Sequence, residues 1–232
     1  MKNELQKKFK EVVFLYKLWF NYNKSKLSGI RLPKNSDHLY IDGFPRSGNS
    51  YAVYFLKNFY PNLDFSHHLH TIAGIKIAIK KGLNPIILIR NPIDTVASHS
   101  IMKSYYSKGS LSDNSLIVNI SETYINYYQF VYNNLEKLTI LPFTKIRNLE
   151  ALAVFFINNI SNIDKRYSVD ELDAFHEKFI KMQSAKPSDR TSMPNDERNS
   201  KKELVKERIL KLESYKKANS LYLKIVLESE SK

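Results

Sequence analysis

The chain has 232 residues, 43% of them apolar and 25% charged, a size for one globular unit rather than two and a composition that excludes a collagen-like repeat or wholesale disorder. Lysine and arginine number 36 against 23 aspartates and glutamates, a net charge of +13, and such a field gathers anions: nucleotides, nucleic acid, acidic glycans or lipid headgroups. The lack of any cysteine excludes disulfide frameworks and thiolate metal sites, and with no secretory signal at the start a cytoplasmic location is the expectation.

Residues 4–22 set Leu5, Phe9, Val12, Val13, Leu15, Tyr16 and Phe20 among lysines at helical spacing, an amphipathic helix with aromatic weight. Its apolar run is broken by Lys17 and is far shorter than the roughly 20 residues that span a bilayer. Two fates suit it: packing on the domain, or peripheral contact with a membrane surface. A polar stretch from Asn23 to Asp37 follows, so residues 1–38 read as helix and linker and 39–232 as the domain proper.

A short strand at Leu39–Asp42 runs into the loop GFPRSGNS, after which YAVYFLKNFY is helical. Strand, glycine loop and helix are the setting of a phosphate loop, in which backbone amides and the helix dipole cradle an anion. Asn49 stands where a nucleoside triphosphatase holds the lysine that neutralises the outer phosphates, which argues against ordinary ATP or GTP chemistry. Arg46 supplies a cation from another angle, and Ser47 and Ser50 supply hydroxyls. After the His-rich segment FSHHLHT comes a helix to Lys81, then the apolar run PIILIR ending at Arg90, as in a strand buried on both faces of a parallel sheet.

Asn91-Pro92 ends that strand and Ile93 to about Tyr106 is helical, with Pro92 suited to a first turn. A Tyr-rich helix from about Ser121 to Lys137, a strand at Thr139–Phe143 and a helix at about Leu149–Asn158 come next. The alternation predicts an α/β fold: a central, mostly parallel sheet flanked by helices in three layers, with ligands beyond the carboxyl ends of the strands. Ser168 with Glu171, and Ser200 with Glu203, have capping-box spacing and are expected to open the last two helices, on either side of the polar loop SAKPSDRTSMPNDERNS.

PRSGNSY at Pro45–Tyr51 resembles the 5′-phosphosulfate loop of the sulfotransferases, P-K-S-G-T-T-W, and IRNPIDTVAS at Ile89–Ser98 resembles their 3′-phosphate motif, an arginine ending a strand and a serine eight residues on. The resemblance implies a P-loop NTPase-like fold and the donor 3′-phosphoadenosine 5′-phosphosulfate (PAPS), with adenosine 3′,5′-bisphosphate (PAP) as product and no metal. It implies that Arg46 takes the place of the catalytic lysine. Ser47, Gly48, Asn49 and Ser50 would bind the 5′-phosphate, Tyr51 would stack on adenine, and Arg90 and Ser98 would hold the 3′-phosphate. A histidine followed by leucine serves many sulfotransferases as base, which favours His68 over His70, with Asp64 as the carboxylate alternative. The family also returns a basic segment over the 3′-phosphate, for which Lys186, Arg190 and Arg198 are the candidates, without the usual glycine. The expected acceptor is a hydroxyl, or second an amine, on a small molecule or glycan. Two rival readings stand beside this one: a nucleotide or small-molecule kinase with an altered loop, and a non-catalytic basic nucleic-acid-binding protein. The scattered basic residues favour no nucleic-acid partner.

Overall fold

The computed structural model describes residues 11–27, 29–107, 114–160, 167–185 and 196–231. Four strands, β1 (Leu39–Gly43), β2 (Phe65–His67), β3 (Ile86–Ile89) and β4 (Thr139–Pro142), form one sheet in the order β2-β1-β3-β4. Every pairing is parallel, with Ile41 opposite both His67 and Ile86, and Leu88 opposite Leu141.

Period-two alternation divides the strands between two cores, because successive side chains leave a strand on opposite faces. Tyr40, Ile87, Ile89 and Ile140 belong to one. It is covered by α1 (Val13–Asn23), α3 (Ile72–Lys80), α4 (Pro92–Ser107), α5 (Asn114–Tyr132), α9 (Asp196–Leu210) and α10 (Glu213–Glu230). Leu39, Ile41, Ile86, Leu88 and Leu141 belong to the other, covered by α2 (Asn49–Phe59), the short α6 (Phe143–Ile146), α7 (Leu149–Asn159) and α8 (Val169–Ser184). The chain is therefore an α/β protein with an all-parallel four-stranded sheet between helices. With strands that point one way, every carboxyl end lies on one edge. Between β1 and β3 the strand order reverses, and there the loops diverge and leave a crevice.

Local chemistry sets most helix starts. Thr71 caps α3 by accepting from the Gly74 amide at 3.1 Å, and Asn148 caps α7 by accepting from Ala151 at 2.9 Å. Ser168 and Glu171 close a complete capping box on α8. The second expected box fails: α9 already begins at Asp196, so Ser200 and Glu203 lie inside it, and the chain breaks again at Lys211–Leu212 before α10. The Tyr-rich helix is also displaced, starting at Asn114 and ending at Tyr132. Strand β2 was not expected, since only three residues pair at this edge and their composition carries no run of β-formers. Among the described residues no helix is long and apolar enough to cross a membrane.

Helix α1 joins the domain core, with Tyr16 and Phe20 at 2% and 4% exposure among residues of the β1 and α3 cluster. Residues 4–10 of the expected helix lie outside the described residues. Phe20→Ala should cost about 3–5 kcal/mol of stability in urea unfolding; a loss below about 1 kcal/mol would mean that α1 is not part of the cooperative unit.

Candidate functional site

The segments that follow β1, β2 and β3 carry Arg46 to Tyr51, His68 with His70, and Arg90 with Ser98, all at the carboxyl edge of the sheet. The loop after β1 starts with Gly43, where a Cβ would stand 2.6 Å from the Leu88 carbonyl oxygen, so only glycine lets the two strands approach this closely. Gly48 precedes α2 at φ 98°, and a Cβ there would lie 2.9 Å from Ile146 Cδ1. The Tyr51 and Ala52 amides bond the Gly48 carbonyl, while the amides of Gly48, Asn49 and Ser50 have no backbone acceptor among the described residues. Three donors at a helix start, with the dipole behind them, make an anion cradle.

Asn49 is a strut. Its side-chain amide donates to the carbonyls of Phe44 at 3.1 Å and Gly43 at 3.4 Å, closing the loop from inside, and it is 6% exposed. Ser47 is turned away from the cradle: its buried hydroxyl lies 3.2 Å from the Tyr128 hydroxyl, which itself donates to the Leu88 carbonyl at 2.7 Å. The Tyr128 proton is thus spent on Leu88, so Ser47 donates. Its side chain braces the loop, and its amide is used on Phe44. Ser50 is exposed at the helix start. Tyr51 meets Phe179 edge-on at 4.7 Å and its hydroxyl lies 3.0 Å from His176 Nδ1. It borders a cleft of about 420 Å³ with Arg147, Asp173 and His176.

The two motifs meet. Arg46 Nε donates to Ser98 Oγ at 2.9 Å, and Arg90 donates to the Arg46 carbonyl at 3.2 Å. The Arg90 guanidinium also lies over the Phe143 ring, 4.1 Å from its centroid, and its buried Nε has no partner among the described residues. The Arg90 carbonyl is held in turn by the Tyr124 hydroxyl at 2.9 Å. A row of buried tyrosines on α5 therefore fixes both junctions from below.

His70 is held by a carboxylate. Its Nδ1 is 3.0 Å from Asp42 Oδ1 and 2.7 Å from the Gly43 carbonyl, and its amide donates to Asp42 Oδ2. Two acceptors around Nδ1 fix the proton there, so in the neutral ring Nε2 carries the lone pair. Asp42 is fully buried at the end of β1; burial works against its ionisation, but the charge and hydrogen bond of His70, with bonds from Tyr40 and the Gly43 amide, hold its carboxyl below the usual value. His68 has no such support. Its Nδ1 contacts His67 Nδ1 at 2.7 Å, and burial, followed by the charge of His70, lowers it to about 4. Asp64 is held by Arg31 at 2.9 Å.

Arg46, His68 and His70 are the non-glycine residues with positive φ among the described ones, at 74°, 59° and 51°. Such conformations cost roughly 1–3 kcal/mol each and persist where the surroundings over-determine them. All three border the crevice.

Sequence reasoning missed Asp42, whose only signal is a carboxylate ending an apolar strand. It also missed Lys202 and Lys206 on α9, spaced one helical turn apart, which bond Asp94 in the first turn of α4 at 2.8 and 3.1 Å. Lys186 and Arg190 lie outside the described residues, as does the side chain of Arg198.

The fold is that of an α/β protein in which the glycine loop after β1 is clasped to a second strand-to-helix junction. No family model and no curated protein matches the chain.

His67 and His68 give a pH test. Burial, then the charge of His68, lowers His67 to about 3. Both rings are neutral when folded and take up protons on unfolding below their ordinary 6.5, so their contribution is complete above pH 6.5 and drains away as the pH falls towards about 4 and about 3. Thermal unfolding should show stability falling as pH drops below 6.5, and His68→Gln should flatten that fall. An equal slope in the variant would contradict the burial of a neutral His68.

Proposed function

We propose that the chain is a sulfotransferase on a P-loop-type α/β fold, moving a sulfuryl group from PAPS to a hydroxyl, or second an amine, and releasing PAP. The observation that carries this reading is the clasp of Arg46 on Ser98 and of Arg90 on the Arg46 carbonyl. It brings the strand-end arginine and helix serine of one motif against the loop of the other, beside three unpaired amides. The orphaned Nε of Arg90 has a hydrogen left to give to an anion. Asn49, committed to bracing the loop, occupies the place of the lysine that triphosphate chemistry requires.

In this reading the α2 amides and Ser50 bind the 5′-phosphate, Arg90 and Ser98 hold the 3′-phosphate, and the cleft beside Tyr51 receives adenine. His70 replaces His68 as the favoured base. It removes the acceptor proton at Nε2 while the acceptor oxygen bonds to sulfur and the bond from sulfur to the 5′-phosphate oxygen breaks; that oxygen leaves with the electron pair. A base serves best with a pKa near the working pH, and His68 at about 4 is too weak. Arg46 stabilises the departing phosphate by charge alone, because a guanidinium does not give up its proton. Asp42 positions His70 and stabilises the imidazolium that forms. Lys202 and Lys206 bring positive charge to the first turn of α4, next to Arg90. The basic charge and aromatic richness suit a glycan acceptor.

The test is transfer of label from sulfur-labelled PAPS to a panel of simple glycans, phenols and amines, with EDTA present. The wild type should label at least one class; His70→Ala should lose about 10²–10⁴-fold in turnover while still binding PAP, and His68→Ala should lose far less. Asp42→Asn should lower turnover and shift the acidic limb of the pH–rate profile. Phosphoryl transfer dependent on magnesium and ATP, or full turnover in His70→Ala, would overturn the assignment.

A further inference from the structure

Helix α1 is apolar on two sides but packed on only one. Val13, Tyr16 and Phe20 face the domain, where burial and a hydrogen bond to Thr71 fix the Tyr16 hydroxyl. At 100° per residue, Phe14, Leu18, Tyr22 and Trp19 fall on an adjoining arc of about 140°, and they are exposed by 68%, 53%, 87% and 40%. A contiguous stripe of four large apolar or aromatic side chains on one exposed helix face is the kind of surface that marks an interaction site.

The charge around the stripe is one-sided. From Glu11 to Ser36 the sequence holds five basic residues and one acidic residue, Glu11. Arg31 is taken by Asp37 and Asp64, whereas Lys17 and Lys24 are exposed on α1 and the helix turn that follows it. On the helix wheel Lys17 falls about 60° beyond Phe14 and flanks the stripe, and Lys24 lies in the turn just past Tyr22. Trp19 is held in place by stacking on the buried Tyr16, with centroids 5.7 Å apart at 21°, so its ring is preorganised.

We propose that this face of α1 docks on an anionic lipid surface, with Phe14, Leu18, Trp19 and Tyr22 at the headgroup boundary and Lys17 and Lys24 against the phosphates. Tryptophan and tyrosine favour that boundary, where one end of the ring is apolar and the other wet. Charge favours lipid over a second copy: the segment around the stripe is net positive, which an anionic leaflet attracts and the same face of a second copy repels. The inference is independent of the nucleotide reading. If both hold, the membrane lies against α1, which packs on α3, and α3 begins immediately after Thr71, next to His70.

Trp19 is the chain's only tryptophan, so its fluorescence reports on this face alone. Adding vesicles of phosphatidylcholine with phosphatidylserine to the full chain should shift the emission to the blue, and lipids brominated in the acyl chain should quench it; vesicles of phosphatidylcholine alone should bind at least about ten-fold more weakly. Phe14→Ser with Leu18→Ser and Tyr22→Ser should lower binding to anionic vesicles about ten-fold or more at unchanged melting temperature, since all three side chains are exposed. Lys17→Glu with Lys24→Glu should remove the preference for anionic lipid. No blue shift, or equal vesicle binding by the triple variant, would overturn the proposal. Concentration-dependent dimerisation abolished by the triple variant, without vesicle binding, would assign the face to a second copy instead.

Discussion

Arg46 donates to Ser98 and Arg90 donates to the Arg46 carbonyl, so two strand-to-helix junctions that are far apart in the chain hold each other. The rest of the crevice depends on this clasp. Arg46 adopts a positive φ that arginine disfavours, and the bonds to its side chain and carbonyl, with the Gly48 turn and the Asn49 strut, keep the loop in that form. The tyrosines of α5 support it from beneath: Tyr128 fixes Leu88 and Ser47, and Tyr124 fixes the Arg90 carbonyl. The fold's topology supplies the place, since β1 and β3 are the neighbours between which the strand order reverses.

Electrostatics follow from the same layout. A buried carboxylate at the end of β1 would be costly alone, and His70, Tyr40 and the Gly43 amide together offset that cost. Aiming the Asp42 carboxylate at Nδ1 orders the ring and leaves Nε2 as the basic nitrogen. His68, one residue before Leu69, is locked against His67 and depressed by burial. Neighbouring histidines of one short segment thus meet opposite electrostatic surroundings.

Much of the fold is legible in the sequence because three of the four strands are apolar runs long enough to show, and each is followed by a clear helical period. Strand β2 is not, because an edge strand of three residues needs neither length nor alternation. The α9 start is misplaced because Ser200 and Glu203 have capping-box spacing, yet a capping box requires the backbone to leave the helix at the serine, and here the helix runs on from Asp196. In the site, Arg46, Arg90 and Ser98 are legible from the two motifs that carry the resemblance, and an arginine at a strand end with a serine about two turns into the following helix has little freedom of placement. The inward turn of Ser47 and the Asp42–His70 pair were not, because both depend on partners, Tyr128 and the β1 terminus, that only tertiary packing brings near.

The central claim is that the clasp builds a site for a nucleotide bearing a 3′-phosphate. Calorimetric titration of the full chain with PAP, ADP and ATP in EDTA tests it most directly, on the wild type and on Arg90→Ala. Metal-free binding of PAP should be at least about ten-fold tighter than that of ADP, and the variant should lose about ten-fold or more for PAP with little change for ADP. Equal affinities for PAP and ADP, or PAP binding indifferent to Arg90, would contradict it.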